Sequence, residues 1–316
     1  MGRSVAISGA SGAIGAKLMC FFAEYSSTPR IVGLDVREPT PELRRQIEAA
    51  ATRNSQNKPL VEWTLADLAN PSDDGWIAVL NEVNAFIHLA FQNPLSSCSW
   101  EDVRASLDMV NNTALEAVRS QSLDRYLFAS SNHVMGGYKE PFETGRLAPG
   151  ELTTNKPYRV GTLLQKGRVQ LDFTPYASCK FAGERLLQAL ASRENGRTAF
   201  CSVRIGWSMP GEDFPAAPRG MYTISPDSPE PEIEKQELSE IWTHYMWISN
   251  RDLGQLFHKA IEVDARHWPN GYVAVNGMSN NRGMPWSLEE GRQWIGYEPR
   301  DDFFEHLERF DQHSRS

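Results

Sequence analysis

The feature that most constrains the fold is the sequence Gly-Ala-Ser-Gly-Ala-Ile-Gly at residues 9–15. It lies between a short apolar run at residues 3–8, which is typical of a buried strand, and residues 14–25, where apolar side chains recur at helical spacing. Glycines at such a junction let the backbone approach a pyrophosphate, whose charge the N–H groups and dipole of the helix stabilise. A plain turn would also contain glycines, but the placement between strand and helix favours a dinucleotide site.

Strand-like and helix-like segments alternate along the chain. Short apolar runs at residues 30–34, 85–90, 125–129 and 200–205 predict buried strands, and residues 100–119 and 176–191 predict helices. This alternation is typical of a parallel sheet covered on both faces. We therefore predict an α/β fold with a doubly wound parallel sheet of the Rossmann type. Residues 1–206 would mainly bind the dinucleotide, and residues 207–316 would form a smaller, mainly substrate-binding region.

Two proline-rich segments interrupt the alternation. Residues 139–175 contain four prolines, and residues 209–240 contain six prolines and end in an acidic stretch. Loops of this length are uncommon in compact domains and often serve as active-site lids. A solvated or oligomer-contacting insertion explains both segments equally well, so their role stays open.

Composition excludes several other classes of protein. Lysine and arginine total 32 against 40 aspartate and glutamate residues, and the net charge of −8 argues against a nucleic-acid binder with a basic face. No apolar run approaches the ~18 residues of a membrane-spanning helix, and a strand that begins at residue 3 leaves no room for a signal peptide. The four cysteines and seven histidines show no metal-ligand spacing. We expect reduced thiols, no metal and a cytoplasmic location.

A carboxylate twenty residues after the last glycine favours NAD as the dinucleotide. Asp35 ends the second predicted strand, where its side chain can accept hydrogen bonds from the adenosine ribose hydroxyls. The same charge repels a 2′-phosphate, so NADP is disfavoured, although Arg37 nearby weakens that preference. Asp67 and Leu68 follow a further apolar segment and are candidates for contact with the adenine.

Three side chains indicate acid–base chemistry. Tyr176 and Lys180 are four residues apart, which places both on one face of a helix, where the ammonium can stabilise a phenolate and lower the tyrosine pKa. Ser131 follows a buried strand, at the edge where ligands bind in open α/β sheets, and can align a substrate hydroxyl with Tyr176. The alternative is that Ser130 or Ser131 simply caps the next segment, and the neighbouring His133 could be purely structural.

Together these motifs resemble the extended short-chain dehydrogenase/reductase family, also called the NAD-dependent epimerase/dehydratase family. The matching segments are residues 9–15, Asp35, 66–68, 88–90, the Ser131 region, Tyr176 with Lys180, 204–206 and 294–299. The resemblance implies that Tyr176 is the acid/base, that Lys180 orients the ribose, and that Ser131 holds the substrate oxygen. It implies cofactor contacts at Gly9, Ser11, Gly12, Ala13, Ile14, Gly15, Asp35, Arg37, Asp67, Leu68, Leu89, Ala90, Tyr176, Lys180 and Ile205. It implies substrate contacts at Gln92, Ser131, Asn132, His133, Gly206, Trp207 and Arg219.

Within this family the segments at residues 128–134, 204–206 and 247–253 are similar to those of uronate dehydrogenases. Those enzymes oxidise the C1 hydroxyl of a cyclic hexuronate to a lactone and reduce NAD. The chain departs from them at Trp242, where they carry an arginine for the substrate carboxylate, and Arg219 could supply the missing cation. A neutral or phosphorylated sugar could therefore replace the hexuronate.

Three functions follow from this resemblance. The first is an NAD-dependent dehydrogenase that oxidises a hexuronate or related aldose, and the second is a nucleotide-sugar epimerase that uses the same Ser, Tyr and Lys. The third is a non-catalytic NAD-sensing module, which the presence of both Tyr176 and Lys180 disfavours. The resemblance also suggests a homodimer or higher homo-oligomer built through the helices at residues 100–119 and 176–191.

Overall fold

The structure, a computed structural model, describes residues 2–55, 58–94, 96–166, 169–193, 197–211, 213–216, 218 and 230–314. The strands of this part are β1 (Val5–Ser8), β2 (Arg30–Asp35), β3 (Leu60–Leu65), β4 (Ala85–His88), β5 (Arg125–Ser131), β6 (Leu163–Lys166), β7 (Val169–Asp172), β8 (Ala199–Ile205) and β9 (Tyr272–Gly277). Within the described ranges, seven of them form one parallel sheet in the order β3-β2-β1-β4-β5-β8-β9. The other two, β6 and β7, pair as an antiparallel hairpin.

Helices connect and cover these strands. They are α1 (Ala13–Tyr25), α2 (Pro41–Arg53), α3 (Asp74–Glu82), α4 (Trp100–Arg119), α5 (Lys139–Glu143), α6 (Thr174–Arg193), α7 (Glu230–Tyr245), α8 (Asn250–Glu262), α9 (Glu289–Ile295) and α10 (Phe303–Ser314). Short 3-10 helices lie at Asn132–Tyr138, Ala265–His267 and Pro269–Gly271. Of the helices in the described ranges, none is both long enough and apolar enough to cross a bilayer.

The sheet has a hydrophobic layer on each face. In β1, Val5 and Ile7 pack with α1, α2 and α8, whereas the intervening Ala6 packs with α3, α4 and α6. Alternate side chains of a strand point to opposite faces, so a strand buried on both sides must be apolar throughout. β1, β4, β5 and β8 are buried along their whole length, which explains why they were visible as continuous apolar runs.

The predicted doubly wound α/β fold is confirmed, and the differences lie at its margins. β3 is half exposed along its length and β9 lies in the C-terminal part of the chain, and neither was among the predicted strands. The segment 139–175 is more ordered than the expected loop, because it contains α5 and the β6–β7 hairpin. The end of the segment 209–240 is helical from Glu230, where α7 begins, and residues 219–229 lie outside the described part.

The strand order places a crevice above the carboxyl end of β1. β1 pairs with β2 on one side and with β4 on the other, so the chain leaves β1 and β4 in opposite directions. Ligands bind at such a switch point in open α/β sheets. The glycine-rich segment and the residues that follow β4, β5 and β8 all lie at this edge.

Candidate active site

The glycine-rich turn is closed by backbone contacts and leaves the start of α1 open. Gly9 has φ of +66°, and a Cβ there would lie 3.1 Å from the Cα of Ala90. A Cβ at Gly15 would lie 2.1 Å from the Gly9 carbonyl oxygen, so the helix packs on the turn only with glycine at this position. Gly12 precedes α1 and offers no side chain to cap it. The first residues of α1 are Ala13, Ile14 and Gly15. This turn fits the pyrophosphate of a dinucleotide.

Asp35 lies at the end of β2 beside the same turn. Its Oδ2 accepts a hydrogen bond from the Ser11 N–H at 2.9 Å, and its Oδ1 accepts one from the Arg37 N–H at 3.1 Å. The exposed Arg37 guanidinium lies 3.9 Å from Oδ1. A carboxylate has about four lone-pair sites, so two bonds to backbone N–H groups leave acceptor capacity for ribose hydroxyls.

The residues after β4 are fixed by one serine hydroxyl. Ser8 Oγ accepts the N–H groups of Leu89 and Ala90 at 3.1 and 3.3 Å and lies 3.3 Å from Nδ1 of His88. Because this hydroxyl has one proton to donate, we infer that it donates to Nδ1 and that His88 carries its own proton on Nε2. Burial, assisted by the charge of Lys180, lowers the pKa of His88 to about 3 and keeps the ring neutral.

Helix α4 holds two further backbone segments at this edge. Asn112 Nδ2 donates to the carbonyl of Leu68 at 2.9 Å, and Ser106 Oγ accepts the N–H of Gln92 at 3.0 Å. Leu68 is buried, whereas Asp67 is exposed. Gln92, a predicted substrate contact, is therefore fixed at its backbone near the carboxyl end of β4.

Ser131, Tyr176 and Lys180 lie together. Tyr176 and Lys180 occupy the first two turns of α6, and Ser131 at the end of β5 is close enough to the Tyr176 hydroxyl to favour its ionised form and lower its pKa. The Lys180 Nζ lies 5.6 Å from the centre of the Tyr176 ring and 4.5 and 5.0 Å from the rings of Phe91 and Phe128. Three side chains from two distant parts of the sequence thus share one buried pocket.

Burial controls the charges in this pocket. It raises the pKa of Tyr176 to about 12, against the smaller opposing effect of the hydrogen bond with Ser131. It lowers the pKa of Lys180 to about 8. Desolvation outweighs the other effects on the pKa of Tyr176 in this geometry, and a lowering of that pKa by Lys180 stays a prediction. Lys180 still carries its proton at pH 7, so it can stabilise a phenolate.

The residues after Ser131 are tied to their surroundings. Asn132 is buried and its Nδ2 donates to the Ile205 carbonyl at 3.0 Å. His133 Nδ1 lies 2.7 Å from Thr162 Oγ1, and its ring stacks on Phe173 at 4.3 Å. Burial lowers the pKa of His133 to about 4, so the ring is neutral at physiological pH. His133 also meets the edge of the Tyr176 ring at 5.9 Å between centroids, which places it in the pocket.

Gly206 and Trp207 continue the chain directly after β8. The Gly206 N–H donates to the Gly277 carbonyl at 2.8 Å, and a Cβ at Gly206 would lie 1.9 Å from the Met246 carbonyl oxygen. The Trp207 N–H donates to that same oxygen at 2.7 Å. Both residues are therefore positioned by the C-terminal region. Arg219, the last predicted substrate contact, lies outside the described residues.

One buried carboxylate at this site was not predicted from the sequence. Glu184 in α6 is fully buried and accepts hydrogen bonds from Ser130, Tyr158 and the guanidinium of Arg204. It lies four residues after Lys180, on the helix face that carries Tyr176. A carboxylate at this spacing on the catalytic face of α6 was the signal that could have revealed it.

The described residues contain no group of three or more His, Cys, Asp and Glu side chains that could hold a metal ion. All four cysteines are free thiols. Cys98 and Cys179 pack with Tyr176 in a small apolar cluster, and burial raises the pKa of Cys179 to about 11, so this thiol stays protonated.

The chain matches the model of the NAD-dependent epimerase/dehydratase family over residues 5–207, well over half of its length, and it belongs to this family. It is therefore an oxidoreductase of the extended short-chain dehydrogenase/reductase type, in a family whose cofactor is NAD. It is 28% identical over 225 residues to an NAD-dependent glucose-6-phosphate dehydrogenase of Haloferax volcanii, covering 71% of this chain and 70% of that one. It is 26% identical over 219 residues to an L-arabinose 1-dehydrogenase (NAD(P)(+)) of the same organism, covering 68% and 74%.

Solved structures share the fold. MoeE5 in complex with UDP-glucose and NAD superposes with a TM-score of 0.60 at 16% identity, covering 99% of this chain and 100% of that one. A UDP-glucose 4-epimerase of Stenotrophomonas maltophila, with bound NAD and formylated UDP-arabinopyranose, gives 0.60 at 14% identity, covering 95% and 94%. The fold class, the family and NAD as its cofactor, all predicted from the sequence, are confirmed.

Proposed function

We propose that the protein is an NAD-dependent sugar dehydrogenase that oxidises a hydroxyl, at C1, of a hexuronate or related aldose to a lactone. The observation that carries this proposal is the placement of Tyr176 beside Ser131 and the Lys180 ammonium at the carboxyl edge of the sheet. Two proteins of Haloferax volcanii that are similar to this chain support it by their names, since one is a dehydrogenase of a sugar phosphate and the other of a free sugar.

In this proposal each side chain has one task. Ser131 holds the sugar hydroxyl against Tyr176, which takes the proton from that hydroxyl as a phenolate. Lys180 stabilises the phenolate by its charge, which it retains at pH 7. The glycine turn and Asp35 would hold NAD, which would supply the hydride acceptor. Orientation of the sugar in this closed pocket supplies much of the rate.

The surroundings of Trp242 bear on which sugar fits. This residue, at the position where uronate dehydrogenases carry an arginine, is fully buried and lies 4.4 Å from the ring of Trp286 and 5.3 Å from that of Phe142. An aromatic cluster cannot pair with a carboxylate. The hexuronate version of the proposal therefore depends on a cation elsewhere, whereas a neutral aldose needs none.

The proposal extends to domains, assembly and location. Residues 1–206 would mainly bind NAD and residues 207–316 would mainly contact the sugar. On α4, Trp100 and Leu115 are 63% and 41% exposed, which supports a homo-oligomer built through α4 and α6. A cytoplasmic location stays a prediction.

The test is NADH formation by the purified protein with NAD and a panel of hexuronates, neutral aldoses, sugar phosphates and nucleotide sugars. Reduction with one free sugar, and release of its lactone, is the expected result and identifies whether a carboxylate, a phosphate or neither is recognised. Conversion of a nucleotide sugar at unchanged NADH absorbance, with no reaction of free sugars, would instead establish the epimerase.

A further inference from the structure

We propose that Glu184 is a positioning residue, whose buried carboxylate fixes the helix that carries Tyr176 and Lys180 against the three segments that carry the rest of the pocket. The inference rests on the proposed function only where it is tested by kcat with a sugar substrate. Titration of the Tyr176 hydroxyl tests it independently of which substrate is turned over.

The carboxylate of Glu184 is bonded on both oxygens. Oε1 accepts the Ser130 hydroxyl and the Arg204 Nε at 3.0 Å, and Oε2 accepts the Arg204 Nη2 at 2.9 Å and the Tyr158 hydroxyl at 2.7 Å. The side chains of Glu184 and Arg204 are both completely buried. Four donors from three different segments therefore converge on one side chain of α6.

Two partners of Glu184 are chain neighbours of pocket residues. Ser130 precedes Ser131, which lies beside the Tyr176 hydroxyl and favours its ionised form by lowering its pKa. Arg204 precedes Ile205, whose carbonyl holds the Asn132 side chain. Displacement of either partner therefore moves a pocket residue through the adjoining peptide bond.

The third partner lies on the segment that holds His133. Tyr158 is four residues before Thr162, whose hydroxyl contacts the His133 ring, and the Gly161 N–H donates to the His133 carbonyl at 3.0 Å. The ring of Tyr158 also lies 4.9 Å from the Arg204 guanidinium. This segment therefore contacts both members of the ion pair between Glu184 and Arg204.

The pair is ionised, and both of its side chains are completely buried. Burial opposes the charge of Glu184, but Arg204 and the hydrogen bonds of Ser130 and Tyr158 outweigh it and hold the carboxyl pKa below its usual range. Removing one member of a buried pair leaves the other charge uncompensated. The segments around it then shift to find new partners, and the pocket shifts with them.

The first test is E184Q, which keeps the shape and one acceptor but removes the charge. We expect kcat to fall about 30-fold with KM for NAD within about twofold of wild type, because the glycine turn is untouched and general acid–base alignment contributes roughly 10²–10⁴-fold. We also expect the Tyr176 hydroxyl to ionise at higher pH, since Ser131, which lowers its pKa, is displaced. Ultraviolet tyrosinate titration, with Y176F subtracted, isolates that hydroxyl.

Matched variants separate positioning from stability. D252N removes the charge of another completely buried carboxylate, which accepts hydrogen bonds from Ser279 and from the backbone of Arg300 and Asp301, and should lower the melting temperature without moving the Tyr176 titration. S130A and Y158F each remove one bond to Glu184 and keep the charged pair, so they fold if E184Q does not. Each should give a smaller shift in the same direction as E184Q.

The double variant E184L/R204M removes both charges without leaving either one unpaired. We expect stability to recover while kcat and the Tyr176 titration stay displaced. Recovery of both would overturn the proposal, because it would show that Glu184 only neutralises Arg204. An unchanged titration and kcat in folded E184Q would overturn it as well. If no sugar is oxidised by wild type, the proposed function fails while the titration still decides the role of Glu184.

Discussion

The glycine turn and the catalytic pocket lie at the same edge of the sheet but are built from different kinds of contact. At the turn, the contacts are between backbone atoms, and a Cβ on Gly15 would lie 2.1 Å from the Gly9 carbonyl oxygen. In the pocket, the contacts are between buried ionisable side chains, of which Tyr176 and Lys180 have pKa values displaced by burial. The turn spans seven residues of sequence, whereas the pocket draws on segments more than forty residues apart.

This difference predicts two kinds of mutational response. Changes at the turn act through shape, so they should alter NAD binding and leave the pH dependence of the reaction alone. Changes in the pocket act through charge and hydrogen bonding, so they should alter kcat and its pH dependence and leave NAD binding nearly unchanged. A turn variant that alters the pH dependence of the reaction, or a pocket variant that alters NAD binding, would show that the two regions are coupled.

The largest expected effect is that of Y176F on turnover. Loss of the hydroxyl removes the only atom of this side chain that can accept a substrate proton, so we expect kcat to fall about 10³-fold, within the range of general acid–base catalysis. NAD affinity, measured by fluorescence titration, should change by less than about threefold. The matched control is Y297F, which removes a buried hydroxyl bonded to the Met278 carbonyl away from the pocket. If Y176F keeps every measurable function of the protein and neither form turns over a sugar, the non-catalytic NAD-sensing module is favoured.

The next largest effect is that of G15A on cofactor binding. The added methyl group would meet backbone atoms of Gly9 and Ala10, at 2.1 and 2.7 Å, which cannot move without distorting the turn. We expect NAD affinity to weaken about 100-fold, with a loss of stability of about 1–3 kcal/mol. G291A is the control, because Gly291 is also a helical glycine but its added Cβ would meet only side-chain atoms of Tyr297, at 3.3 Å or more, which a shift of a few tenths of an ångström relieves. Equal NAD binding by G15A and wild type would contradict the steric role of the turn.

The third prediction concerns the stability cost of Lys180. Burial lowers the pKa of this lysine from 10.5 to about 8, so below pH 8 both folded and unfolded chains carry the proton and the whole cost of burying the charge is present. Between about pH 8 and 10.5 the unfolded chain binds more protons, and the free energy of unfolding rises with pH. We expect K180M to be inactive yet more stable at pH 7 by about 1–3 kcal/mol, an advantage that shrinks above pH 8.

Denaturant unfolding at pH 7 and pH 10 measures this difference. K17M is the control, since Lys17 is only partly buried and its Nζ donates to Ser208 Oγ at 3.2 Å, so its removal should not stabilise the fold. A loss of stability in K180M at pH 7 would mean that the interactions of the ammonium stabilise the fold by more than the burial of its charge costs.

The same division explains what the sequence could predict. The glycine turn, Asp35 and the pair Tyr176 and Lys180 are defined by spacing along the chain, and local spacing is what a sequence displays directly. Ser131 was placed correctly at a strand end because parallel strands share one edge. The sequence did not reveal the partners of Glu184 or the contact between Thr162 and His133. Tyr158, one partner of Glu184, and Thr162 lie in residues 139–175, which have no periodic pattern. The contacts of Glu184 also depend on burial that only the folded chain creates.

The smallest expected effect is that of D35N on the choice between NAD and NADP. It tests whether the charge of Asp35 sets the preference for NAD. Asp35 repels a 2′-phosphate and also restrains Arg37, whose backbone N–H it accepts and whose guanidinium lies 3.9 Å away. Asparagine keeps one acceptor for the Ser11 and Arg37 N–H groups but removes the charge, so Arg37, which is 76% exposed, becomes free to meet a phosphate. We expect the ratio of kcat/KM for NADP to that for NAD to rise about tenfold, equivalent to about 1.4 kcal/mol.

The double variant D35N/R37A should lose most of that gain. A gain that persists without Arg37 would assign the selectivity to repulsion by Asp35 alone, whereas an altered pH profile in D35N would show that the turn and the pocket are not independent.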